Sequence, residues 1–96
     1  QDPLFVVRKD KSILIDGMVS MYDLKQKLGL QEISNKYLNT YQTTAGFVIA
    51  HLDKIPRTGD MFEKFGYRFE VVDMDQNRVD KILVKRINSK KTKSSE

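Results

Sequence analysis

Short β-prone runs and period-two alternation mark five strands along the chain, and helical spacing marks two helices. Leu4 to Arg8 carries Phe5, Val6 and Val7, residues that suit a pleated strand. Lys9-Asp10-Lys11 is a polar turn, and Ser12 to Asp16 is a second strand that stops at Asp16-Gly17. These two predict a hairpin. Ser20 stands at a helix N-cap with Asp23 three residues on, and Met21, Leu24 and Leu28 share one helical face. Gly29 closes that helix at a left-handed C-terminal position. Residues 30–42 are polar and mixed and predict a loop, with room for a turn of helix within Gln31 to Leu38. Thr43 or Thr44 caps a second helix running to about Asp53, with Phe47, Val48, His51 and Leu52 in helical period and Ile49 widening the stripe. Pro56 ends that region.

The last third is all strand. Asp60 to Phe65, Tyr67 to Met74 and Arg78 to Ile87 are separated by Phe65-Gly66 and Asp75-Gln76-Asn77. Strict alternation puts Tyr67, Phe69 and Val71 on one face, and Val79 with Leu83 opposite Ile82 and Val84. Strands this close in sequence form an antiparallel meander. The expected order is β-β-α-α-β-β-β, an α+β fold with two helices on one face of an antiparallel sheet.

Ninety-six residues make one domain. No apolar run approaches the ~20 residues of a membrane-spanning helix. There is no secretory signal pattern and no initiator Met, so the chain reads as a piece of something longer. Cys is absent, which removes disulfides and thiolate metal sites. The net charge of +4 sits at the C-terminus: residues 85–96 hold Lys85, Arg86, Lys90, Lys91 and Lys93 against Glu96, while residues 1–84 carry 12 basic and 12 acidic side chains. Residues 1–87 are expected to form the domain, electrically balanced over 1–84 and followed by Lys85 and Arg86. Residues 88–96, which contain no apolar residue, are expected to form a basic disordered tail.

Few residues offer chemistry. His51 is the single histidine, and one histidine needs partners for a zinc site or a proton shuttle. A structural or surface role is expected. Asp73-Met74-Asp75-Gln76-Asn77 resembles the start of a calcium loop, but Arg78 stands where that loop needs Gly and Val84 where it needs Glu. A hairpin turn is expected, with Asp73, Asp75 and Asp80 as the carboxylates from which a weak Mg²⁺ site would be built. Phe62, Phe65, Tyr67 and Phe69 alternate as a sheet core does, ahead of a nucleic-acid face. Asp16-Gly17 and Thr58-Gly59-Asp60 are turn chemistry, and Gly46, which costs its helix about 1 kcal/mol, implies close packing of another backbone. No phosphate-binding glycine motif occurs. The residues themselves describe a non-enzymatic domain with no catalytic, cofactor-binding or metal residues, one that binds protein.

Taken in order, the signals become specific. Ile15-Asp16-Gly17, then Tyr41-Gln42-Thr43-Thr44-Ala45-Gly46-Phe47-Val48, then Lys54-Ile55-Pro56-Arg57-Thr58-Gly59-Asp60, then Gly66-Tyr67-Arg68-Phe69-Glu70-Val71 and Ile82-Leu83-Val84 resemble the transporter-associated domain of the CorC/HlyC family. The resemblance spans about residues 4–87. The chain departs from the family pattern at Thr44, where an apolar residue is usual, and at Asp53-Lys54, where Leu-Gly is common. The resemblance implies a regulatory module of a bacterial, hemolysin-like membrane protein related to magnesium and cobalt efflux. It implies neighbouring CBS domains and a membrane domain as partners, and a place on the cytoplasmic face of the inner membrane. It also implies a fold similar to part of a FAD-binding domain. Contacts through sheet edges and aromatic positions, including a possible homodimer, are expected. The rival readings are a small-ligand module for nucleotide or flavin, and nucleic-acid binding through the tail, which is not expected.

Overall fold

The computed structural model describes residues 4–87, so the tail expected over 88–96 lies outside the described residues. Five strands form one antiparallel sheet: β1 (Phe5–Val7), β2 (Ile13–Asp16), β3 (Met61–Lys64), β4 (Tyr67–Asp75) and β5 (Arg78–Arg86). Their order across the sheet is β1-β2-β5-β4-β3. The hairpin and the three-strand meander predicted from sequence are thus joined through β2 and β5, where Ile13 pairs with Val84 and Ile15 with Ile82. One face carries Ile15, Phe69, Val71, Ile82 and Val84, all fully buried, and the helices cover it. Each of these side chains contributes roughly 1.5–3 kcal/mol by leaving water.

Helix α1 (Met21–Leu28) forms as its sequence predicts. The Ser20 hydroxyl accepts from the Asp23 N–H at 3.0 Å, and Met21 and Leu24 are buried. Gly29 caps the end at φ 66°, returning its N–H to the Lys25 carbonyl. Between the two predicted helices lies a short one, α2 (Asn35–Thr40). It has no side-chain cap and no fully buried residue. Its formation rests on Tyr37 and Leu38, which pack against the core. Helix α3 (Thr44–Leu52) is capped by Thr43, whose hydroxyl accepts from the Gly46 N–H at 3.1 Å. It ends at Asp53, which holds φ 55°, three residues ahead of Pro56. Phe47 and Val48 are buried, while Ile49 faces out and does not widen the buried stripe.

Two expectations about sidedness and packing change. The pairing of β4 with β5 shifts twice: Val71 pairs with Ile82, Asp73 with Lys81, and Met74 with Val79. Val72 on β4 and Asp80 on β5 are the extra residues, and the second bulge restores the register that the first displaced. The Asp80 bulge reverses the parity of the strand, so Val79 is 3% exposed and shares the core face with Ile82 and Val84 rather than facing away with Leu83. The close-packing glycine is also not Gly46. A Cβ there meets only the Thr43 hydroxyl, at an ordinary 3.4 Å. Gly46→Ala is expected to stabilise the domain by about 0.5–1 kcal/mol through helix propensity, read as a raised urea midpoint with an unchanged slope.

Candidate functional site

The separated sequence motifs meet at one backbone crossing. The segment leading into α1 runs beside the segment leading into α3. The Ala45 N–H donates to the Gly17 carbonyl at 2.9 Å, the Thr44 N–H to the Val19 carbonyl at 2.7 Å, and the Met21 N–H to the Gln42 carbonyl at 3.2 Å. Ser20 and Thr43, the two helix caps, form the bridge between them. Thr44 is fully buried, and its hydroxyl donates to the Val19 carbonyl at 2.9 Å. That satisfies the polar group of a residue standing where the resemblance leads one to expect an apolar side chain. Gly17 closes the crossing onto β5, its N–H donating to the Asp80 carbonyl at 2.9 Å. A Cβ on Gly17 would lie 2.2 Å from the Val79 carbonyl oxygen. Gly17 is therefore required by close approach to the β5 bulge, not by a left-handed turn: among the described residues the positive-φ glycines are Gly29, Gly59 and Gly66. The Ile55-Pro56-Arg57-Thr58-Gly59-Asp60 motif seats β3 on β4, with the Gly59 N–H on the Val71 carbonyl at 2.7 Å.

A second cluster is aromatic and centres on Phe47. Its ring lies 4.4 Å from His51, 5.4 Å from Phe69, 5.8 Å from Phe62 and 6.0 Å from Phe65. Phe62 and Phe69 stack at 5.2 Å. These rings are the helix–sheet core, as the alternation predicts. Phe47 and Phe69 are fully buried and drop out of the expected contact sites, while Phe62, Phe65 and Tyr67 are half-buried. His51 stacks on Phe62 at 5.3 Å, and its Nδ1 lies 3.0 Å from the Phe47 carbonyl. A carbonyl only accepts, so Nδ1 carries the proton and, in the neutral ring, Nε2 is left as an acceptor. Beside it, Lys36, Tyr37, Thr40, Tyr41 and His51 line an open pocket of about 230 Å³. The sequence offered one signal for its far wall, the i,i+4 spacing of Tyr37 and Tyr41, but the surrounding polar residues hid it.

Of the carboxylates expected at the strand ends, Asp73 and Asp80 lie within hydrogen-bonding reach of each other, but the three do not gather into one site. Asp75 pairs with Arg78 at 3.1 Å, while Asp80 takes the Lys81 ammonium at 3.0 Å. Among the described residues no three His, Cys, Asp or Glu side chains gather in a metal-binding group. Three carboxyls lie below the ordinary value of about 3.9. Hydrogen bonds from Ser12 hold Asp10 down. Burial pushes Asp60 up, but the Arg57 N–H and the Lys54 ammonium outweigh it. The Lys81 ammonium holds Asp80 down. In each case the unfolded chain takes up its proton first. The stability these groups supply is full above about pH 5, falls as pH drops through about 4, and is lost below their lowered native values. Thermal melts from neutral to acid pH should show this decline, and Asp60→Asn should make it shallower.

Comparison with known proteins reads this framework directly. The profile of CorC_HlyC, the transporter associated domain, matches residues 6–88. The chain belongs to the CorC_HlyC family. A UPF0053 protein of Synechocystis sp. is 41% identical over 87 residues, which are 91% of this chain and 19% of that protein. The polyamine export protein of Escherichia coli K12 is likewise 41% identical over 87 residues, with the same coverage of 91% and 19%. The chain thus spans about a fifth of the length of the curated relatives it matches. Among solved structures, the transporter associated domain of a Xylella fastidiosa hemolysin is 39% identical with a TM-score of 0.78, covering 92% of this chain and all of that one. The same domain, solved in complex with Mg²⁺ and Mn²⁺, is 40% identical with a TM-score of 0.78, covering 90% of this chain and all of that one. The transporter associated domain of a CBS domain protein from Porphyromonas gingivalis is 26% identical, again with a TM-score of 0.78, covering 90% of this chain and all of that one. The α+β fold expected of a CorC_HlyC domain is the fold observed, with α2 added to the two expected helices. Among the described residues no helix is long and apolar enough to cross a membrane.

Proposed function

We propose that this CorC_HlyC domain is a non-enzymatic regulatory module of a bacterial membrane exporter of small cations. It acts through contacts with the CBS and membrane domains of its parent on the cytoplasmic face. The observation that carries this reading is the 41% identity, across 91% of the chain, to one fifth of a polyamine export protein. Polyamines are the first candidate cargo on that ground. Magnesium and cobalt, which the family resemblance implies, are the second. A non-enzymatic role is supported by the employment of the chemically conspicuous side chains. His51 is held in a ring stack, Asp80 by Lys81, and Asp60 by Lys54 at 3.2 Å.

The test is deletion of residues 4–87 from the full-length parent, followed by measurement of cellular tolerance to polyamines, Mg²⁺ and Co²⁺. Altered polyamine tolerance supports the reading. Altered metal tolerance alone moves the cargo to the divalent ions. Unchanged handling of all three overturns the accessory role. The rival small-ligand reading draws on the pocket beside Tyr37 and His51, but its roughly 230 Å³ falls under the 300–1,000 Å³ usual for ligand pockets. That weighs against a nucleotide or a flavin. A thermal-shift screen with both separates the readings, since a genuine ligand raises the melting temperature by mass action.

A further inference from the structure

Summed along the sequence, residues 1–84 are neutral. Antiparallel pairing sorts their charge in space. Val7 pairs with Ile13, Ile13 with Val84, Tyr67 with Arg86 and Lys64 with Tyr67. The 8–12 turn, the 65–66 turn and the end of β5 therefore share one rim of the sheet. Arg8, Lys9 and Lys11 lie in the first turn, Lys64 and Arg68 flank the second, and Lys85 and Arg86 close β5. Only Asp10 and Glu63 oppose these seven, leaving a net +5 on the rim. Their ion pairs are long and wet: Lys85 to Asp10 at 3.9 Å and Arg68 to Glu63 at 3.6 Å, with all four side chains about half exposed. With both acids counted, five of the seven cationic charges on this rim have no acid offsetting them. At the opposite rim Asp16, Asp60, Asp73, Asp75 and Asp80 are interleaved with Lys54, Arg57, Arg78 and Lys81 and nearly neutralised. The sequence after Ile87 adds three more lysines against Glu96.

The geometry points to the basic rim as a docking surface for an anionic phospholipid bilayer. Three observations select this occupant. The charge complements acidic headgroups, each basic side chain near such a surface adding attraction. Val7, 56% exposed, gives the same rim an apolar contact. A transporter-associated domain has a bilayer in reach, whichever cation its parent moves. Nucleic acid is the weaker fit, because single-strand binding faces offer open rings between their basic residues. Here Phe65 is packed edge-on against Tyr37 at 5.3 Å, with the Lys64 ammonium 5.6 Å over it.

The test is sedimentation of the 96-residue chain with vesicles of pure phosphatidylcholine and of an equimolar mixture with phosphatidylglycerol. The chain should sediment with the mixed vesicles, stay free of the neutral ones, and be released by salt. Arg68→Gln with Lys85→Gln should lower partitioning about 30-fold, taking about 1 kcal/mol per charge. Lys9→Gln with Lys11→Gln in the turn should do the same, so the result does not hang on one variant's folding. Lys54→Gln with Arg78→Gln, the same charge change at the other rim, should leave binding within about twofold of the parent chain, the scatter expected of surface changes away from the contact. A chain ending at Ile87 should still bind. Equal loss in the two-rim comparison, equal binding to neutral vesicles, complete loss on ending at Ile87, or tighter binding of the rim to duplex DNA than to vesicles would each overturn the proposal. None of these outcomes depends on export by the parent, so they leave the accessory role to its own test.

Discussion

Gly17→Ala is expected to destabilise the domain by about 3–5 kcal/mol, a large share of the roughly 5–15 kcal/mol available to a small domain. The added methyl would sit 2.2 Å from the Val79 carbonyl oxygen, and that oxygen belongs to a strand held on both sides. Relief requires the end of β2 to part from the β5 bulge. The Gly17–Asp80 and Ala45–Gly17 hydrogen bonds then weaken together, at about 1 kcal/mol each beyond the steric cost. The damage should be local to the crossing: amide exchange should accelerate first at Gly17, Thr44 and Ala45. Urea denaturation measures the total. A loss under about 1 kcal/mol would mean that the crossing yields easily and that this contact does not set the geometry.

Phe47→Ala is the second large effect, at about 3–5 kcal/mol. Phe47 is fully buried and is the ring on which α2, α3 and the sheet converge, touching Tyr37, His51, Phe62 and Phe69. Removing it leaves a cavity that six neighbouring rings cannot close without leaving their stacked and edge-on arrangements. Phe47→Leu keeps most of the volume and should cost about 1–1.5 kcal/mol. The contrast between the two variants in urea midpoint is the informative measurement. Equal losses would show that ring geometry, rather than filled volume, is what the site requires.

Much of this framework was legible from residues alone, and the exceptions share a cause. Helix α1 could be read end to end because its cap, its apolar spacing and its terminal glycine are all local signals. Helix α2 could not, because six residues carry too little periodicity and its only anchors, Tyr37 and Leu38, are tertiary contacts. The side taken by Val79 depends on a bulge at Asp80 that has no sequence signature. The roles of Gly17 and Gly46 were exchanged for a similar reason. Glycine reports that something special happens to the backbone, while only distance separates a close approach from an empty helix position. The basic rim was invisible because it is assembled from segments far apart in sequence, and the pocket because the polar residues around Tyr37 and Tyr41 masked their spacing.

The paired bulges of β4 and β5 carry a consequence for how this hairpin tolerates changes in length. Val72 and Asp80 are each one residue too many, and they cancel. Losing either alone would remove its bulge while leaving Asp73–Lys81 and Met74–Val79 matched, with Met74 and Val79 still on the core side. Losing both would leave every distal pair matched as before. A one-residue loss is therefore tolerated at these two positions, whereas the same loss in the regular pairing on either side would carry apolar side chains out to solvent.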